Sequence, residues 1–293
     1  MERKRETETR ALIRRFKYNK SAVFGLTLVL MLVLCAILAD YIAPNNPTPS
    51  PPELSKSLKP GFWSEDGIKG MPLGTDALGR CVLSRILYGA RVSLSAGFVA
   101  VAIAMLLGIA FGVTAGYWGG WVDTLIMRII DIMFAFPGLL LAIVIVTVMG
   151  EGLGKAMIAI GIVYTPRMAR IIRSSTLYIK EMEYIEVQKA IGSSSWRVIL
   201  RHILPNSIAP VIVYGTLMLA TAILACAALG FLGLGARPPT PEWGAMLSKS
   251  YSYILSGAWW AATFPGIAIL LSVLGLNLLG DGLRDILDPR LKT

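Results

Sequence analysis

The sequence predicts an all-α polytopic membrane protein with six transmembrane helices, and three observations lead there. Of the 293 residues 55% are hydrophobic and the mean hydropathy is +0.64, well above what a soluble domain of this size carries. The apolar residues fall in long uncharged runs, and a helix needs roughly 20 such residues to cross a bilayer. A polar, helix-prone island, EYIEVQKAIGSSSWRVILRHILPN (183–206), separates apolar runs on either side.

Taken in order, residues 1–20 form a basic tail with Arg3, Lys4, Arg5, Arg10, Arg14, Arg15, Lys17 and Lys20. The first span covers about 21–43. The tail could be read as a nucleic-acid arm or as the start of a secretory signal. Membrane topology already accounts for its charge, and no small-residue cleavage site follows the long apolar run, so an uncleaved span is expected. The large Leu34 before Cys35 argues against a lipidated cysteine.

Residues 44–91 read as an external loop, rich in Pro and polar residues over 44–72. Within PLGTDALGRCVLSRILYGARVSL (72–94), Leu83, Ile86 and Leu87 follow helical spacing, which predicts a short interfacial helix before the second span. The core, 92–280, then holds five spans at about 92–116, 124–149, 153–173, 207–231 and 259–280. Gly97, Gly108, Gly112 and Gly116 suit close helix packing in the first of these. AGYWGGWVDT (115–124) predicts a tight turn, and Phe136-Pro137-Gly138 a kink. The span at 153–173 reaches full length only if its helix continues through Arg167, Arg170 and Arg173 into water. Residues 230–249 form a second external element, and 281–293 a short charged tail.

With the N-terminal tail inside, 19 of the 28 Lys and Arg residues fall on the cytoplasmic side, in agreement with the positive-inside rule. Both termini and the 183–206 island are then cytoplasmic. Arg80, Arg85 and Arg91, on the outer side near the second span, run against that rule.

Chemistry is sparse. GEGLGKA (150–156) resembles a phosphate loop, but Met149 stands at the first glycine position and Ala156 at the last, so no nucleotide site is expected. Three cysteines (Cys35, Cys81, Cys226) and the single His202 offer no disulfide framework and no spaced metal ligands. Asp123, Arg128 and Asp131 read as an ion-paired helix end. Essentially no ionisable residue sits at mid-span depth, which argues against ion-coupled transport and a catalytic membrane enzyme, and for energy supplied by a partner.

The island is built for contact. Val187 and Ile191 share a helical face, and Gly192 suits a helix C-terminus. Ser193, Ser194 and Ser195 offer an N-cap to a second helix. Trp196, Ile199, Leu200 and Ile203 form an apolar stripe on that helix, and Pro205 marks where it stops or is redirected. Two short helices could also be a DNA reader, but their position between two spans disfavours it.

The island resembles the EAA loop of ABC-importer permeases: Glu186, Gly192, Leu204 and Pro205 stand at that family's spacing, while Val187, Gln188 and His202 depart from it. PLGTDALGRCVLSRILYGARVSL, IDIMFAFPGLLLAI (130–143), LGFLGLGARPPTPEWGAML (229–247) and FPGIAILLSVLGLNLLGDGLRDILDPRLK (264–292) resemble the C-type subunit of the dipeptide/oligopeptide/nickel group. Cys81 stands where that group usually has Asp. The resemblance implies the type I importer fold in a bacterial or archaeal inner membrane, surrounded by lipid. It implies a homologous B-type permease, two ABC ATPase subunits that hold the ATP and Mg, an extracytoplasmic solute-binding protein, and no nucleic acid. It implies no catalytic, cofactor or metal residue in this chain, and a coupling helix whose ATPase-docking residues are Glu183, Glu186, Ala190, Gly192, Trp196, Ile199, Leu204 and Pro205. Peptides are the expected cargo. A nickel chelate is the alternative in the same role, and a non-transporting membrane scaffold the alternative of another class.

Overall fold

The computed structural model describes residues 14–287, which fold as helices joined by loops, with a single isolated β-bridge between Thr75 and Cys81 among them. The helices are α1 (Lys20–Ile37), α2 (Ala39–Ile42), α3 (Val82–Trp118), α4 (Gly120–Phe134), α5 (Gly138–Met149), α6 (Leu153–Lys180), α7 (Glu183–Ala190), α8 (Ser195–Val198), α9 (Leu204–Asn206), α10 (Ile208–Phe231), α11 (Trp243–Ser250) and α12 (Trp260–Leu287). Among them α1, α3, α10 and α12 are each long and apolar enough to cross a bilayer, and α4 with α5 would make a fifth span if counted together. The sixth expected span, α6, is long enough but carries Lys155, Arg167, Arg170 and Arg173.

Three expectations need correction. Residues 82–91 are not a separate interfacial helix: α3 runs unbroken from Val82 to Trp118, so the boundary expected at 91/92 falls inside it. No proline interrupts the run, and Arg85 and Arg91 in its first turns find partners in loop 44–81, in the segment after α10 and at the end of α1. The kink at Phe136-Pro137-Gly138 is a break in which α4 and α5 meet at 96°. Pro137 has no N–H to give to the carbonyl four residues back, and Gly138 begins the next helix. Residues 281–287 continue α12, so the charged tail begins later than 281. The turn after α3 is as tight as expected, since α3 ends at Trp118 and α4 begins at Gly120.

The centre of the molecule is the crossing of α3 with α6. A Cβ on Gly108 would lie 2.6 Å from the Met168 Cβ, on Gly112 2.6 Å from the Ala169 carbonyl, and on Gly116 2.8 Å from the Thr176 Cβ. Gly161 of α6 returns the arrangement against Ile103. The four-residue spacing therefore brings two backbones together where no side chain fits between them. Gly97, the first of the series, faces Ile223 of α10 instead. Around this crossing one buried cluster takes in residues of α3, α5, α6 and α10, and also Ile185, Val198, Ile199 and Ile203 of the island. α12 packs on α1 and α10 and completes the bundle.

The segments expected on the external side form a folded layer. Trp63 packs against Trp259, Trp260 and Phe264, with ring centroids 5.2–5.8 Å apart. The Trp260 indole donates to the Thr75 carbonyl at 3.1 Å, and the buried Trp243 indole to the Ile86 carbonyl at 3.1 Å. Loop 44–81 holds only one short 3-10 turn, Leu54–Lys56, as its proline content predicts.

Candidate functional site

The island forms the two helices expected of it, α7 and α8, joined at Gly192. Gly192 has φ +80°, a left-handed conformation that L side chains rarely adopt. Its N–H donates to the Lys189 carbonyl and the Ser193 N–H to the Gln188 carbonyl, both at 3.0 Å. These two bonds are the Schellman termination of a helix, and they satisfy carbonyls that would otherwise end α7 unpaired. The Ser193 hydroxyl donates to the Gln188 side-chain oxygen at 2.9 Å and tightens the corner. Ser194 stands at the N-cap of α8, though its side chain makes no capping bond.

The expected apolar stripe is divided. Trp196 and Leu200 are 65% and 60% exposed, while Ile199 and Ile203 are buried in the bundle core. Ile199–Ile203 is a π-helical stretch, in which the Leu204 N–H donates to the Ile199 carbonyl five residues back. Each pair four apart, Trp196 with Leu200 and Ile199 with Ile203, keeps one face, and the edge of the buried surface passes between the pairs. Pro205 does not stop the helix: it lies in the first turn of α9, and the turn comes at Ser207.

The result is a two-sided island. Its inner side, Ile185, Val198, Ile199 and Ile203, belongs to the same buried cluster as the α3–α6 crossing. Its outer side exposes Val187, Ile191, Trp196 and Leu200. Of the residues expected to dock, Glu183, Glu186, Ala190, Gly192, Trp196 and Pro205 are exposed and Leu204 is half-buried. Ile199 is 2% exposed and holds the island to the bundle. Trp196 also leans edge-on against Trp118 at the end of α3, with centroids 6.1 Å apart. Asn206 donates to the His202 carbonyl at 2.6 Å and to the Tyr184 hydroxyl at 3.3 Å, which ties α9 to α7.

The acidic residues of α4 pair with α6, and Arg128 is exposed. Arg173 grips Asp123 through two bonds of 2.5 and 2.6 Å, and Arg170 meets Asp131 at 2.6 Å while lying over the Phe134 ring. The expected ion-paired helix end is thus a bridge between helices. A planar guanidinium facing a carboxylate edge-on makes this a directional contact.

The three arginines that run against the positive-inside rule are structural. Arg91 donates to the Ala36 and Ile37 carbonyls at the end of α1 and to Asp40. Arg85 donates to the Pro47 carbonyl at 2.9 Å and the Pro239 carbonyl at 3.4 Å. Arg80 pairs with Asp76 at 2.6 Å. Cys81 is buried at the N-cap of α3 and makes no side-chain capping bond. A carboxylate in its place would therefore serve as a helix cap. Sequence reasoning missed Glu242, which is buried and caps α11 by accepting from the Gly244 and Ala245 N–H groups at 2.8 Å. Glutamate is not among the preferred capping residues, so only its position before Trp243 and the α11 pattern could have signalled it.

The family model for the inner membrane component of binding-protein-dependent transport systems matches residues 108–293 of this chain, and the model for the N-terminal TM domain of oligopeptide transport permease C matches 8–60. The chain is 47% identical over 285 residues to the dipeptide transport system permease protein DppC of Alkalihalophilus pseudofirmus, covering 97% of this chain and 90% of that one. It is 46% identical over 277 residues to the di/tripeptide transport system permease protein DppC of Pseudomonas aeruginosa, covering 94% and 90%. It is 42% identical over 292 residues to the glutathione transport system permease protein GsiD of Pectobacterium atrosepticum, covering 98% and 93%. Among solved structures, an inward-facing methionine ABC transporter aligns with a TM-score of 0.56 and 18% identity, over 70% of this chain and 97% of that one. At that identity the likeness is one of fold.

Proposed function

The chain belongs to the inner membrane components of binding-protein-dependent transport systems, and from that premise we propose that it forms half of the translocation pathway of an ATP-driven peptide importer. It is a multi-pass membrane permease and not itself an ATPase. The relatives named for dipeptide, di/tripeptide and glutathione transport support short peptides as cargo. A homologous B-type permease supplies the other half, two ATPase subunits bind ATP below, and a solute-binding protein delivers cargo from outside. Both termini lie in the cytoplasm.

The two-sided island carries this reading. Its exposed apolar row suits a groove on an ATPase, with Glu183 and Glu186 giving polar contacts beside it. Its buried side is continuous with the bundle core, so a displacement of the docked island is delivered to α3 and α6 without slack. Closure of the ATPases on ATP then rotates the permease pair as rigid bodies.

Copurification from membranes tests the reading. The tagged chain is expected to bring a second permease and ATPase subunits. Gly192→Trp is expected to lose the ATPases while the permease pair survives, because a Cβ there meets no atom of this chain within 4 Å and the position lies on the exposed side of the island. Recovery of the chain alone under mild conditions would favour a membrane scaffold. Normal uptake by Gly192→Trp would sink the docking role.

A further inference from the structure

On the outer side a cleft of about 270 Å³ lies between the 76–85 segment, α11 and the start of α12. Its charged lining is Asp76, Arg80, Arg85 and Lys249, three cations against one carboxylate. That carboxylate is already saturated. One Asp76 oxygen accepts the Leu78 and Arg80 N–H groups at 2.9 and 3.0 Å, and the other accepts Arg80 Nε at 2.7 Å and the Arg80 terminal nitrogen at 2.6 Å. Arg85 Nε stands 3.5 Å from Asp76 and, though buried, has no hydrogen-bond partner. The Arg85 side chain is only 4% exposed, so water does not compensate it. Burial, with Arg80 and Arg85 nearby, pushes the Lys249 ammonium below its ordinary value, while Asp76 opposes that shift. A cleft that sets three cations against one carboxylate, itself already accepting four hydrogen bonds, carries a net positive charge that an oxyanion stabilises.

We propose that this cleft is a carboxylate-binding site on the outer face of the permease. Nothing in the coupling argument requires it. The carboxylate has two sources compatible with the function proposed above, on which this inference rests: the C-terminus of a peptide, or an acidic side chain of the solute-binding protein. The cleft has room for one such group but not for a folded segment. Tyr253 and Met246 on its walls give the carbon next to the carboxylate an apolar surface.

The test uses the assembled importer in lipid nanodiscs, with titration calorimetry against acetate, Ala-Ala and Ala-Ala amide. Saturable binding of acetate and Ala-Ala, with the amide silent, is expected. Lys249→Gln, at an exposed rim position, should weaken acetate about fivefold, the scale of one charge-assisted contact, and Lys249→Glu should abolish it with assembly intact. If acetate then blocks docking of the binding protein, the carboxylate comes from that protein. If it leaves docking intact and competes with peptide uptake, it comes from cargo. No saturable binding of either acid, equal binding of the amide, or binding untouched by Lys249→Glu overturns the site. Each of those results is compatible with normal uptake, whereas a complex that takes up no peptide yet still binds acetate overturns the functional reading and leaves the site standing.

Discussion

Gly192 offers the most direct way to separate backbone demand from steric fit at the island. Its φ of +80° is fixed by the two Schellman bonds, and a Cβ added there meets nothing within 4 Å. Alanine therefore costs only the left-handed conformation, about 1–2 kcal/mol for an L residue. Abandoning the motif instead forfeits two hydrogen bonds worth about 0.5–1.5 kcal/mol each, so the variant gains little by relaxing. The free island of Gly192→Ala then divides between strained and relaxed forms, and the strain is restored on docking. With the two forms near balance the competent fraction is about one half, so the expected loss in ATPase affinity is about 2-fold, rising to about 6-fold where relaxation gains about 1 kcal/mol. Asparagine tolerates this backbone region and should fall between glycine and alanine. The assay is binding of purified ATPase subunits to the permease pair in nanodiscs, with Gly, Asn and Ala compared at one lipid composition. Equal affinities for all three would refute the backbone argument. A loss confined to Gly192→Trp would show that the partner's shape alone sets the requirement.

Three further outcomes follow from other parts of the fold. Gly112→Ala places a methyl 2.6 Å from the Ala169 carbonyl; an overpacking cost of about 1–3 kcal/mol should outweigh the ~1 kcal/mol helix-propensity gain. Thermal unfolding in detergent checks it against Gly154→Ala, a helical glycine with nothing within 4 Å, which should be neutral or stabilising. Cys81→Asp supplies the missing cap of α3 and should raise stability by about 1 kcal/mol; a lower unfolding temperature would show that the buried site rejects the charge. Burial raises the Glu242 carboxyl above its ordinary 4.5, so the folded chain holds the proton more tightly than the unfolded one. That stabilisation is complete below pH 4.5 and is lost as pH rises through the raised value. Glu242→Gln should flatten this slope and, with one acceptor oxygen for two N–H groups, lower the unfolding temperature at acid pH by an amount equivalent to about 1 kcal/mol; an unchanged pH profile would refute the assignment.

What the sequence conveyed was mostly local. Gly192 was legible because only a left-handed helix end needs glycine at that place, and the Gly108–Gly112–Gly116 series because a four-residue spacing puts three glycines on one face. The 96° break at Pro137 was visible as a kink but not in size, since the angle depends on what α5 packs against rather than on the proline. The partners of Asp123 and Asp131 lie 50 and 39 residues away on α6, beyond any periodicity argument. The divided stripe from Trp196 to Ile203 was illegible for a different reason: spacing shows that four residues share a broad face, but not where the edge of the buried surface crosses it. The outer arginines were misleading because a charge rule counts residues without asking whether backbone carbonyls already hold them.

These long-range contacts hold the island to the bundle. Ile185, Val198, Ile199 and Ile203 are buried among α3, α6 and α10, and the Ser207 hydroxyl bonds that of Ser175 on α6 at 3.0 Å. Trp196 bears on Trp118, so the exposed end of α8 is braced by the last turn of α3. α3 and α6 in turn meet through glycines and leave no compressible side-chain layer between them. α4 is tied to α6 by Arg170 and Arg173, with the 96° break following directly. A close-packed interior transmits displacement rather than absorbing it. The island, α3, α5, α6 and α10 therefore share one packed core, to which α4 is tied by Arg170 and Arg173, so that both sides of the broken hydrogen-bond ladder at Pro137 are anchored on α6.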